Sequence, residues 1–317
     1  MLPDRPEFDS SRRAWLALTL GTMTLGTGPR RAFGADGAED ARISKLEERA
    51  KKAGIAPFRV SRTENFLGVG DASDGYRREA LGVCEALGKV FVKHLRDRGF
   101  RVDLPADRMM VVVLKDSESY GALVGQAPGD ELGGHYDLDS NRLVVFDFRP
   151  GQSPGSGAER INTFTLVHET THLLAYNTGL LALDRDPGKC VAEGVATYFE
   201  MWRKTVSVPA GRVNRPRLDA IRDATRAGDA WIELSRLLTE DSLFDAPDTA
   251  QLAYGQSWLL MYHLLTASRS LWPEVVGWFD DMRTQTGDRL AILEKRLGPV
   301  DKLDEKLRRL ARELSRS

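Results

Sequence analysis

Cysteine is nearly absent: Cys84 and Cys190 are the two in 317 residues. Two thiols cannot supply a disulfide framework or a four-cysteine zinc site, and leave either one bridge or two free thiols. Neither sign of charge is in excess. The 45 basic and 46 acidic residues give a net charge of −1, which excludes the overall basic excess of a nucleic-acid binder. Long apolar runs are missing too. The run Ala14–Gly28 stops at 15 residues, against roughly 20 needed for a helix to span a bilayer, so a polytopic membrane protein is excluded. Internal repeats and low-complexity tracts are also absent. What remains, 42% apolar and 29% charged, is the composition of a folded globular chain. At roughly 150 residues per domain the length suggests about two domains.

The N-terminus has features of a targeting segment. Arg12-Arg13 precede the Ala14–Gly28 run, which threonine and glycine make only mildly hydrophobic, and Ala32-Phe33-Gly34 offers small residues for a signal peptidase. Residues 1–34 resemble a twin-arginine export signal, which sets the expectation of a periplasmic or extracellular protein with no stable membrane span in its mature chain; the alternative is an uncleaved N-terminal anchor or a poorly ordered tail.

Beyond it, the patterning predicts an α+β part over residues 35–157. Ala41–Ala53 is charged and helix-prone, Phe58–Val69 has strand character, and Tyr76–Gly99 carries apolar residues at helical spacing with Gly99 as terminator. Met109–Leu114 is a continuous apolar run, which reads as a strand covered on both faces. Ser117–Val124 reads as a short helix. Gly133–Asp137, a turn at Leu138–Asn141 and Arg142–Asp147 read as a hairpin, and Arg149–Gly157 as a loop. From Ala158 the pattern is helical almost to the end, with a helical part over 158–270 and C-terminal helices over 271–317. In the last of these, Leu303, Leu307, Leu310 and Leu314 form a packing stripe.

The chemistry concentrates at His168-Glu169-Thr170-Thr171-His172. Histidines four apart project from one face of a helix and can bind one zinc ion, while Glu169 lies about 100° around, close enough to reach a water at the metal. Glu193 follows His172 by 21 residues, early in a new helix begun after Pro187-Gly188. Two histidines and one carboxylate leave a fourth zinc position open, which is the catalytic arrangement. Gly194 allows close helix approach. Glu200, seven residues after Glu193, is a candidate to orient a ligating histidine, or else an exposed helix glutamate.

His168-Glu-Thr-Thr-His172 followed by Glu193-Gly-Val-Ala-Thr-Tyr-Phe-Glu200 resembles the gluzincin metallopeptidases of the peptidase MA clan, most closely exported bacterial peptidase MA-like domains. The resemblance covers roughly Phe58 to Ala267. It implies a thermolysin-like α+β fold: a small mixed sheet whose edge hairpin packs on the HExxH helix, then an all-helical C-terminal half. His135-Tyr136-Asp137 through Asp147 is similar to the hairpin that in this clan lays peptide substrates along its edge strand. The resemblance implies one Zn2+ per chain held by His168, His172 and Glu193, with Glu169 as general base. Tyr254, 61 residues after Glu193, stands where gluzincin aminopeptidases place the tyrosine that stabilises the oxyanion. Tyr198, His135 and His263 are the alternatives for that role, and His94 reads as a surface residue.

Three departures shape the expectation. The thermolysin-like branch has an acidic residue four after the third ligand, and Thr197 stands there. The G-x-M-E-N motif of the aminopeptidases is absent, which favours an endopeptidase. Thr178 stands where the metzincins need a third histidine, which excludes them. The function expected is an exported zinc metallopeptidase acting on a peptide or protein, with no nucleic-acid partner. The alternatives are a non-catalytic metal-binding or interaction protein of the same fold, and a zinc amide hydrolase with a non-peptide cell-envelope substrate.

Overall fold

A computed structural model of the chain describes residues 35–128, 133–147, 158–204, 209–228, 230–266 and 269–316. The export-signal reading of residues 1–34 and the loop reading of Arg149–Gly157 lie outside these. Five strands form one sheet: β1 (Arg59–Arg62), β2 (Phe66–Gly70), β3 (Met109–Leu114), β4 (Gly134–Asp137) and β5 (Arg142–Phe146), in the order β1-β2-β3-β5-β4. β2, β3 and β5 run parallel, and β1 and β4 add antiparallel at the two edges. The architecture is mixed α+β.

The continuous apolar run of β3 is explained by its central position. Met109, Val111 and Val113 enter one core cluster, and Met110, Val112 and Leu114 enter the other. Helices α1 (Ala35–Lys52) and α3 (Ser117–Val124) cover the second face, and α2 (Asp74–Arg96) and α4 (Ala158–Asn177) the first. Ser73 caps α2 by accepting the amide of Tyr76, and Gly99 follows its end at φ +93°, the left-handed conformation that glycine adopts without cost. Bare Gly68 lets α2 lie close on β2, since a Cβ there would sit 2.9 Å from Leu81 Cδ1.

The helical half continues with α5 (Lys189–Phe199), α6 (Arg215–Gly228), α7 (Leu234–Thr239), α8 (Ala250–Thr266), α9 (Trp272–Thr284), α10 (Arg289–Leu297) and α11 (Val300–Arg316). α4 is the shared wall. It touches β4, β5 and α2 on one side and α5 on the other, so Val167, Leu173 and Leu174 are fully buried. α5 packs on α8 at Gly194, and α8 packs on α6 at Gly255, where a Cβ would come within 2.7 Å of Arg217 O. Leu303 and Leu307 of the predicted packing stripe are buried. No helix among the described residues is long and apolar enough to cross a membrane.

Candidate metal centre

α4 carries His168 and His172 one turn apart, and α5 brings Glu193 across to them. His168 Nε2 lies 3.2 Å from His172 Nε2 and 3.1 Å from Glu193 Oε2, and His172 Nε2 lies 3.4 Å from the same oxygen. Three ligand atoms bound at 2.0–2.1 Å on a tetrahedral zinc would be spaced about 3.3 Å apart. The measured triangle fits that spacing, so the three side chains form a group that could hold a metal ion. Both histidines are nearly buried, at 9% and 8% exposure.

The electrostatics also call for a cation. Burial disfavours a charged imidazole at His168, but hydrogen bonds and charge from Glu193 and Glu200 outweigh it and push its pKa up to about 10. Glu193 feels the same competition in reverse: burial raises its pKa, and the two histidines hold it far below the usual carboxylate range. Two carboxylates around one imidazole, Glu200 fully buried and Glu193 partly so, thus favour a positive charge at this point, which a proton or a metal ion can supply.

The orientation of His168 is fixed from behind. Its Nδ1–H donates to Glu200 Oε1 at 2.7 Å, which turns Nε2 toward the triangle. Glu200 is fully buried rather than an exposed helix glutamate. Its oxygens also accept from Asn214 Nδ2 at 2.7 Å and from Arg217 Nε and Nη2 at 3.0 and 2.7 Å. Two helical turns separate Glu193 from Glu200, so α5 and the residue that caps its C-terminus reach both nitrogens of one ring. Thr197 turns its hydroxyl back to the carbonyl of Glu193 at 2.6 Å.

Glu169 half-emerges beside the triangle, and the amide of Tyr136 on β4 donates to its Oε2 at 2.7 Å. The ring of Tyr136 stacks near-parallel on His172 and Tyr176. Asn141 closes the hairpin turn at φ +47° and exchanges hydrogen bonds of 2.9 and 2.7 Å with Asn177 at the end of α4. The hairpin is therefore pinned to the helix that carries the histidines.

A cleft of about 330 Å³ opens over these groups, and Tyr254 and His135 line it together with the triangle. Burial and the negative charge of Glu193 raise the pKa of the Tyr254 phenol and keep it a proton donor. Arg217 stacks on its ring at 5.0 Å from the centroid. His135 Nδ1 is 2.7 Å from Tyr120 Oη.

The other two alternatives do not reach the cleft. Tyr198 is buried with its hydroxyl 2.9 Å from His94 Nε2, and His263 lies elsewhere on α8. His94 itself is half-buried against Tyr198 and Phe199 rather than a surface residue. Burial, aided by Arg98, lowers its pKa to about 3. Cys84 and Cys190 are separate buried free thiols, each pushed up to about 12 by burial. Asn214, Arg217 and Tyr176 belong to the site without having stood out in the sequence, because none falls in a recognisable spacing.

No curated protein matches the chain. Residues 162–278 match a family described as a protein of unknown function, DUF1570. The matched span holds His168, Glu169, His172, Glu193, Glu200, Arg217 and Tyr254, and it begins beyond the hairpin that carries His135 and Tyr136, so the chain is similar to this family where the metal ligands and the residues behind them lie.

Proposed function

We propose that the chain is a zinc metallopeptidase of gluzincin type that cleaves internal peptide bonds, and, with the twin-arginine-like segment, an exported one. The observation that carries this reading is the His168–His172–Glu193 triangle, with edges of 3.1–3.4 Å and Glu169 at its side. A zinc ion held by His168, His172 and Glu193 would supply Lewis acidity toward a carbonyl oxygen and toward water.

The chain's own groups do the rest. Glu169, aimed by the amide of Tyr136, takes the proton of the attacking water and delivers it to the leaving amine. Tyr254, kept protonated across the cleft, donates toward the oxygen on which negative charge develops. Glu200 holds His168 in the tautomer that presents Nε2. β4 lies at the sheet edge beside the cleft, so its outer side supports an extended peptide as the substrate.

The test is zinc content and hydrolysis of a peptide library by the purified full chain. Wild type is expected to hold one zinc per chain, and His172→Ala to lose it. Glu169→Gln should keep zinc while hydrolysis falls about 10²–10⁴-fold. Zinc without turnover in the wild type would favour a metal-binding protein of the same fold, and a folded chain that refuses zinc would end the peptidase reading.

A further inference from the structure

Away from the metal cleft, α6 and α11 enclose a second cavity of about 380 Å³. Arg222 and Arg226 on α6 face Arg308, Arg312 and Arg316 on α11 across it. Spacing of four residues sets each group along one face of its helix, and no acidic side chain lines the space among the described residues. Arg222 is held by Asp219 at 2.7 Å, and Arg226 stands 3.9 Å from Asp223. Arg312 and Arg316 have no acidic partner among the described residues.

The third wall is a built feature. Asp304, 5% exposed, accepts from Trp231 Nε1 at 2.9 Å, from the amide of Leu234 at 3.1 Å and from Arg308 Nε at 2.7 Å. One buried carboxylate therefore fixes both the indole and the guanidinium that stacks on it, 4.9 Å from its centroid. Glu233 holds the far side of Arg308 at 2.5 Å. Guanidinium groups stay charged at every physiological pH and repel one another. Their planar donor forks match phosphate oxygens two at a time, and the cavity has the volume of a small-ligand site.

We propose that this cleft binds a multiply charged phosphate group, carried by a soluble phosphate compound or by an anionic lipid headgroup, with Arg312 and Arg316 as its principal contacts. Isothermal titration of the full chain with sodium pyrophosphate in low salt is the test. It should show one saturable site that weakens roughly a hundredfold or more in Arg312→Gln/Arg316→Gln, since each lost charge-assisted pair costs about a decade or more of affinity. The variant should remain folded by circular dichroism. If it does not, Arg312→Lys/Arg316→Lys, which keeps the charge and loses the fork, repeats the comparison and should bind severalfold more weakly.

Co-sedimentation with phosphatidic acid–phosphatidylcholine vesicles separates the two sources. Pelleting that the double variant loses assigns a lipid headgroup, and pyrophosphate binding without pelleting assigns a soluble compound. Failure of both probes to bind, or binding that survives the double substitution, overturns the proposal.

Discussion

His168 carries a carboxylate at each ring nitrogen, Glu193 at Nε2 and Glu200 at Nδ1, and that double attachment gives Glu200 a measurable job. Glu200→Gln keeps the shape but removes the charge that Arg217 and His168 both use. Zinc affinity, read by competition with a chromophoric chelator, should fall about 10–100-fold. At this scale the sequence was legible wherever chemistry imposes spacing. Four residues bring two imidazoles to one helix face, and seven bring Glu200 to the face of Glu193. Asn214 and Arg217 were not legible, because they reach Glu200 from the start of α6 and just before it, through a tertiary contact that no local period records. His94 misled for the related reason that its burial comes from Phe199 and Tyr198, more than 100 positions away.

The elements of the site are held at fixed spacing by missing side chains. A Cβ at Gly194 would lie 2.8 Å from both Met261 Cγ and Ser257 O. The methionine can shift, but the carbonyl, which belongs to α8, cannot. Gly194→Ala should therefore destabilise the fold by about 1–3 kcal/mol through overpacking, read as a lower denaturant midpoint. Zinc affinity should drop with it, since Glu193 rides on the displaced helix. Helix positions followed from apolar periodicity and β3 from its continuous apolar run, because burial imposes both: β3 alternates its residues between two cores. The sheet order was not readable, since strand character in Phe66–Gly70 and in Met109–Leu114 says nothing of which neighbours they pair with. That Gly194 touches α8, and not another helix, was equally out of reach.

Across the whole molecule, ion pairs add to the buried apolar core that holds the C-terminal helices in place. Asp281 on α9 accepts from Arg296 Nε at 2.8 Å and from Lys295 Nζ at 3.0 Å on α10. Arg296 first, and Lys295 with it, hold its pKa at about 2, below its ordinary 3.8. A depressed carboxylate pKa contributes stability above the unfolded value and loses it as pH falls through the folded one. Asp281→Asn should thus melt below wild type at neutral pH, and the gap should close as pH falls from about 4 to about 2, read by thermal melts across that range. The α+β division was legible from the switch of period near Ala158. The way α4 serves both halves was not, because a helix buried on several sides shows no stripe that names its neighbours.

Glu169 is aimed by a main-chain amide and not by a side chain, which bears on how mutation can reach it. Replacing Tyr136 by any residue except proline keeps the donor, so the aim of the base does not depend on which codon stands at that position. Random substitution can spoil the stacking on His172 and still leave the carboxylate pointed where it was. A change that moves β4 or α4, or a proline at position 136 itself, is what would turn the base away.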